Sequence, residues 1–410
     1  MSNDFLLPAN IKFKTFSIGF RNDPFNTYKT LLSDAPIFYV KGLHGKEWVV
    51  AKYEYVSSAL KDRSLVKPDV VNEIAGREKY NKDEKKYIYL KSMIKNWLFF
   101  MEDSRHEKIR KIMATWFTPS KVSEVTKFLL KSIEDNLSLL KTAQSFDVLG
   151  DLSTKVTLTT ISHLLDCTRL DNQETEKYAL DLFKIVNPPV PINEYDSLEK
   201  AAQYFTISLR EDLEREHSKQ GFVQYLLKKK ECTEITEDEI IGALSLVMCV
   251  GLDTTKHLIG NSLQALYSDG KQLEAVRSDT SLLNQSILEC GRYNAPVSML
   301  PRVAIQDTYI GDAKIAAGER VYFLVSAACR DGERFSEPDS LNIHRRKKST
   351  LIFGAGHHFC LGAHLSLVIA EQVIKRLITS PDLVIHFTDL NWVSSPGIRG
   401  LERVQASWVS

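Results

Sequence analysis

Residues 236–270 constrain the fold more than any other stretch. Thr236-Glu237-Asp238-Glu239 has the spacing of a capping box, in which a hydroxyl and a carboxylate satisfy free backbone N–H groups reciprocally. Asp269-Gly270 is a stop signal. The helix between them is about 50 Å long at the usual rise per residue. From Ile240 to Val250 it is apolar nearly all round. A helix without a polar face must be surrounded by protein, so it runs through the centre of a large core. Its apolar run is too short to cross a bilayer. A chain of 410 residues, 43% of them hydrophobic, can supply such a core. The formal net charge of +1 leaves no general electrostatic reason to expect nucleic acid as a partner.

Residues 36–52 alternate around Ile37-Phe38-Tyr39-Val40 and Trp48-Val49-Val50, which predicts a β-hairpin. Helical periodicity dominates from about residue 53 to 300. Short apolar runs around Gly311 and Gly318 predict small antiparallel strands over 302–326, and a second small set falls between 382 and 410. With no repeat, low-complexity tract or linker, the expectation is one domain over 1–410, mainly α with small antiparallel β-sheets, an α+β chain. The N-terminus, Met1-Ser-Asn-Asp-Phe-Leu-Leu-Pro-Ala-Asn10, has neither a signal-peptide pattern nor a long apolar anchor, so a soluble cytoplasmic protein is expected. Six cysteines, at 167, 232, 249, 290, 329 and 360, form no Cys-x-x-Cys pair, which supports neither a disulfide framework nor a zinc site.

Phe353-Gly354-Ala355-Gly356-His357-His358-Phe359-Cys360-Leu361-Gly362-Ala363 places one cysteine in a glycine-rich loop that runs into a helix predicted over 361–379. Glycines let the backbone turn sharply and lie against a flat ligand. Cys360 then sits at a positive helix N-terminus, where thiolate is favoured over thiol. A free cysteine is ordinarily a small buried hydrophobe. A mere filler needs no such surroundings, and the arrangement suits a thiolate ligand for a haem iron.

Gly251-Leu252-Asp253-Thr254-Thr255 interrupts the long helix. A glycine there costs roughly 1 kcal/mol, and a carboxylate more unless it is paired or used. Two readings stand. A threonine can bond back to the carbonyl four residues earlier while Asp253 pairs with a nearby Lys or Arg, or the two polar groups move protons. Glu289 and Arg292 lie three apart on a helix predicted over 281–293 and can pair. His106 and Arg110 lie one helical turn apart.

The cysteine loop resembles the haem-binding loop of the cytochrome P450 monooxygenases, Phe-Gly-x-Gly-x-His-x-Cys-x-Gly, and matches every fixed position. The segment 251–255 is similar to that family's oxygen-activating stretch, where the helix bulges to make room for dioxygen; Val250 stands where Ala or Gly is usual. Glu289-x-x-Arg292, followed by Pro296 to Arg302, and His106-x-x-x-Arg110 resemble two further family regions in the same order along the chain. The resemblance implies the cytochrome P450 fold and haem b (iron protoporphyrin IX) with Cys360 as metal ligand. Gly251, Phe353, Gly354 and Gly362 would contact the cofactor, and His106, Arg110, Arg302 and His358 would supply donors for its two propionates. Asp253 and Thr254 would feed protons to the distal oxygen so that the O–O bond breaks and water leaves. Glu289, Arg292 and Arg345 would be scaffold groups. The family's substrate-contacting segments map here to Trp97, Phe99, Leu244, Met248, Val297, Met299 and Leu300, a mostly apolar set that predicts a hydrophobic small-molecule substrate.

The same resemblance implies electrons from NAD(P)H through external redox proteins, a ferredoxin or flavodoxin and its reductase, because no such module is fused to the chain. Lys108, Lys111, Arg346, Lys347, Lys375 and Arg376 could dock an acidic partner. Leu367 and Ile369 stand where bacterial members often carry Arg and Glu. The expected enzyme is a monomer that oxidises, by hydroxylation in the simplest case, a natural-product intermediate arriving free or tethered to a carrier protein. A peroxide-driven peroxygenase is disfavoured by the intact Asp253-Thr254 pair. A non-catalytic haem-binding sensor or carrier on the same fold is the reading from another class.

Overall fold

Alternating burial builds the first sheet. Ile37, Tyr39, Trp48 and Val50 join one apolar cluster, while Phe38 and Val49 join another. Strands Ile37–Gly42 and Gly45–Val50 form the expected antiparallel hairpin, with Ile37 opposite Val50 and Gly42 opposite Gly45. Both faces are covered, so successive side chains are buried whichever way they point.

The computed structural model describes residues 5–9, 11–42, 45–81, 86–186, 190–346, 349–388 and 390–409. They fall into two compact units whose segments interleave along the chain. The first comprises Met1–Pro68, His257–Cys360 and Ile374–Gln405. Its five-stranded sheet runs in the order Ile37–Gly42, Gly45–Val50, Arg320–Leu324, Met299–Ala304, Leu65–Val66. The sheet is mixed: Gly45–Val50 pairs with Arg320–Leu324 in parallel, while the other neighbours are antiparallel. A separate hairpin, Thr308–Ile310 with Ala313–Ile315, turns at Gly311, whose φ of +56° is the left-handed value that a tight two-residue connection requires. Helix Leu283–Tyr293 carries Glu289 and Arg292. Strands Leu383–His386 and Gln405–Trp408 fall in the predicted C-terminal region.

The second unit comprises Asp69–Lys256, Leu361–Val373 and Ala406–Ser410 and is almost entirely helical. It contains helices Asp103–Ala114, Pro119–Leu140, Lys155–Leu165, Gln173–Phe183 and Tyr195–Leu213, and the first twenty residues of Glu237–Tyr267. That last helix begins with the predicted reciprocal cap. Glu239 N–H donates to Thr236 Oγ1 at 3.3 Å, and Thr236 N–H donates to Glu239 Oε2 at 2.8 Å. Its apolar stretch is buried as expected, with Ile240, Leu244, Met248 and Cys249 all at 0% exposure. Gly242 lets the helix come close to its neighbour: a Cβ there would lie 2.4 Å from the carbonyl oxygen of Asn96.

Candidate active site

In the first unit, backbone geometry shapes the cysteine loop. Gly354 N–H donates to Leu351 O at 2.9 Å, Phe359 N–H to Gly356 O at 3.1 Å, and Cys360 N–H to Phe353 O at 2.9 Å. Gly354 and Gly356 have φ of +72° and +71°. At Gly356 a Cβ would also sit 2.7 Å from the carbonyl oxygen of Leu60, so a side chain is excluded twice over. Phe353 packs on the larger apolar cluster, which anchors the loop from beneath. Helix Ala363–Ile378 begins three residues after Cys360.

The six cysteines are not alike. Cys167, Cys249, Cys290 and Cys329 are buried, and burial pushes all four thiols up, holding them protonated. Cys232 is exposed, just past the end of helix Phe222–Glu231. Cys360 alone is half-buried, and Gly362, two residues on, has open space where a Cβ would sit. This donor and these surroundings fit a porphyrin-bound metal. Arg302, on strand Met299–Ala304, is 2% exposed and donates from Nη1 to the Pro301 carbonyl at 2.8 Å. A guanidinium held at that depth is a donor that a propionate would suit. His358 is half-buried, with its ring 4.4 Å from that of His357.

Three predicted scaffold residues meet. Arg292 donates through Nε and Nη2 to both oxygens of Glu289, each at 2.8 Å, and Arg345 Nε reaches the same carboxylate at 3.0 and 3.2 Å. Both guanidiniums then bind backbone carbonyls. Arg292 takes Cys329, Pro338 and Ser340, and Arg345 takes Ser336, Glu337 and Ser340. The cluster therefore ties segment 329–345 to helix Leu283–Tyr293.

In the second unit, Asp253 is 9% exposed, and Lys256 Nζ lies 2.6 Å from its Oδ1. Thr254 Oγ1 donates to the Val250 carbonyl at 2.8 Å. Both local partners allowed for these residues are thus in place. The helix remains α-helical through 250–256, so the bulge implied by the family resemblance is not present. The threonine bonds onto an intact turn instead of prying it open. Gly251 has a packing reason of its own, since a Cβ there would lie 2.6 Å from Ile161 Cδ1. Helix Asp103–Ala114 holds His106 at 1% exposure and a half-buried Arg110.

The proposed substrate set divides by burial. Trp97, Leu244 and Met248 are all at 0% exposure, and the Trp97 indole donates to Ser245 Oγ at 3.0 Å. All three are closed off from solvent. Phe99, Val297, Met299 and Leu300 keep partial exposure. Among the proposed docking cations, Lys108, Lys111, Arg346 and Lys375 are exposed, Arg376 bonds Ser380 Oγ, and Lys347 lies outside the described residues. Sequence reasoning allowed Asp253 a nearby Lys or Arg as partner but did not name Lys256, although its i,i+3 spacing was legible. It also missed the π-helix Val148–Thr154, where Ser153 and Thr154 hydroxyls bond carbonyls five residues back.

Relatives of known sequence and structure align nearly end to end. A biotin-biosynthesis cytochrome P450 of Bacillus subtilis is 27% identical over 400 residues, covering 96% of this chain and 98% of that protein. The monooxygenase PikC of Streptomyces venezuelae is 27% identical, covering 95% and 92%. The crystal structure of CalO2 superposes with a TM-score of 0.87 at 20% identity, covering 97% and 99%. P450BioI, solved in complex with acyl carrier protein carrying hexadec-9Z-enoic acid, gives 0.83 at 26% identity, covering 95% and 99%. The family model described as Cytochrome P450 matches residues 33–388, the span that contains the cysteine loop and the polar turn of the long helix, and so the chain belongs to the cytochrome P450 family, as a haem-dependent monooxygenase.

Proposed function

We propose that this enzyme inserts one oxygen atom into a hydrophobic small molecule, hydroxylating it, in the biosynthesis of a natural product. The observation that carries the reading is the half-buried cysteine of the glycine loop, and a buried Asp253 beside a half-buried Thr254 on the long helix supports it. Haem, when bound, supplies the oxygen-activating iron. Cys360 would hold that iron as its thiolate, and Arg302, His358, His106 and Arg110 would take the propionates. Thr254 presents a hydroxyl already fixed by its bond to Val250, and Asp253 is kept in place by Lys256. Together they would pass protons inward while the apolar surroundings exclude bulk water.

Phe99, Val297, Met299 and Leu300 would touch the substrate, which accounts for a preference for apolar molecules. The substrate arrives free or on a carrier protein; a relative crystallised with a fatty-acyl carrier protein supports the second route. Electrons from NAD(P)H would come through a separate ferredoxin or flavodoxin and its reductase, docking by way of Lys108, Lys111, Arg346 and Lys375. The test has two steps. The reduced protein with carbon monoxide should show the red-shifted thiolate band, and a library of apolar ligands, free and carrier-bound, should contain members that shift the iron's spin state and turn over with generic redox partners. Binding without turnover across that library would favour a sensor instead.

A further inference from the structure

Of the side chains proposed to touch the substrate, three lie in the first unit, and they are not held alike. Met299 and Leu300 sit on strand Met299–Ala304 opposite Leu324 and Phe323, so the sheet fixes them. Val297 lies before that strand and bridges Ile398, in a hairpin over 391–402. Ser298 N–H donates to the Gly397 carbonyl and Arg399 N–H to the Pro296 carbonyl, both at 2.8 Å. The hairpin is closed by Val393 N–H on the Gly400 carbonyl at 2.9 Å and Glu402 N–H on the Asn391 carbonyl at 2.8 Å. Whatever seats this hairpin therefore seats Val297.

The Arg399 side chain does so. It is only 7% exposed, and its Nε donates to Asn294 Oδ1 at 2.6 Å, at the start of the turn that carries Val297. Nη1 takes the Arg21 carbonyl at 2.5 Å and Nη2 the Asn22 carbonyl at 3.4 Å. Both carbonyls end helix Ile18–Asn22, where no later turn supplies a donor. The guanidinium carbon lies 3.7 Å from the centre of the Trp392 ring and 5.0 Å from that of Phe25, within cation–π range of both. Phe25 also meets Arg330 at 3.7 Å, and Arg330 Nε and Nη2 donate to the Tyr293 carbonyl at 2.9 and 2.7 Å. Asn261 Nδ2 joins the main chain at the same two places, reaching the Asn294 carbonyl at 3.1 Å and the Arg399 carbonyl at 2.8 Å. Burial holds the Arg399 pKa down to about 10, which leaves the group charged at neutral pH.

We propose, on the reading that Val297 touches the substrate, that Arg399 is a positioning residue for substrate selection. It ties the 391–402 hairpin to segment 21–25 and to Asn294, and so sets where Val297 stands. Arginine suits this task because a planar fork can meet three acceptors and two rings at once, whereas a lysine ammonium is a single point charge. Met299 and Leu300, held by the sheet, keep their places whatever happens at 399. Loosening the hairpin therefore changes one wall of the substrate contact and leaves the others standing.

The test compares Arg399→Lys and Phe25→Leu in the haem-loaded enzyme, with Tyr53→Phe as control, since the Tyr53 hydroxyl bonds the Ser349 carbonyl at 2.6 Å in the same unit but in other elements. Amide exchange over 294–299 should quicken roughly tenfold in Arg399→Lys, the value of one hydrogen bond to a charged group. Phe25→Leu should show a smaller rise, Phe25→Tyr the parent's rate, and Tyr53→Phe no change. The second readout is the spin-state dissociation constant for apolar ligands of graded size. Arg399→Lys should reorder their ranking, whereas an arginine that merely stabilises the fold would lower the thermal midpoint and weaken every ligand by one common factor. Should Arg399→Lys fail to fold, Phe25→Leu carries both readouts. Parental exchange over 294–299, or faster exchange with the ranking kept, would overturn the proposal and leave the functional reading intact. A parent enzyme that answers no ligand in the series would defeat that reading, and the role of Arg399 in selection with it.

Discussion

The cysteine loop and the polar turn of the long helix hold their chemical groups by opposite means. Around Cys360 the geometry is backbone: two left-handed glycines, three main-chain hydrogen bonds and a contact with Leu60 too close for any side chain. Around Asp253 and Thr254 the backbone is ordinary α-helix, and the holding is done by a lysine side chain three positions on and a main-chain carbonyl four positions back. The first region spends its sequence on shape. The second keeps a standard shape and spends its sequence on partners. Substitutions near Cys360 should therefore cost geometry and cofactor, whereas substitutions at 251–256 should cost chemistry and leave the fold standing.

The sharpest break in this contrast is Cys360→Ser. It leaves the loop's main-chain bonds available but removes the soft ligand, and the reduced protein with carbon monoxide should lose the thiolate band altogether. Next comes Glu289→Gln, which leaves Arg292, with 0% of its side chain exposed, without a countercharge. Denaturant unfolding should show a loss of about 3–5 kcal/mol, as when one partner of a buried pair is removed. A loss below 1 kcal/mol would mean that the backbone carbonyls around Arg292 suffice. Thr254→Val should move the other way: unfolding free energy within about 1 kcal/mol of the parent, while product formation falls by roughly 100-fold, the lower range for a positioned proton donor. If stability and turnover fell together, the helix site would be as geometric as the loop. The smallest effect is expected from Gly251→Ala. The new methyl group must push back Ile161, but helix propensity returns roughly 1 kcal/mol, so the thermal midpoint should barely move.

The same division explains what could be read before the structure. The long helix was legible from end to end because capping, apolar periodicity and a glycine stop are local signals, and both halves of the cap are formed. The Glu289–Arg292 pair was legible from its spacing. Trp97, Leu244 and Met248 mark the limit of such reading, because an apolar side chain reads the same in sequence whether it lines a pocket or fills a core; all three are fully buried. Arg399 carried no signal at all. Its acceptors are an asparagine side chain 105 positions away and the main-chain carbonyl of Arg21, 378 positions away, and a carbonyl contact leaves no trace in residue identity.

The interleaving of the two units has a consequence for synthesis. Neither is contiguous in the chain: the first needs residues up to Gln405, and the second closes only with Ala406–Ser410. A ribosome making this chain exposes helices early but can complete neither unit before Gln405 has emerged. Fragments cut at any single point should then be poor folders. Nascent-chain protease resistance should rise abruptly once the strand Gln405–Trp408 has emerged, where a chain of sequential domains would gain it in steps.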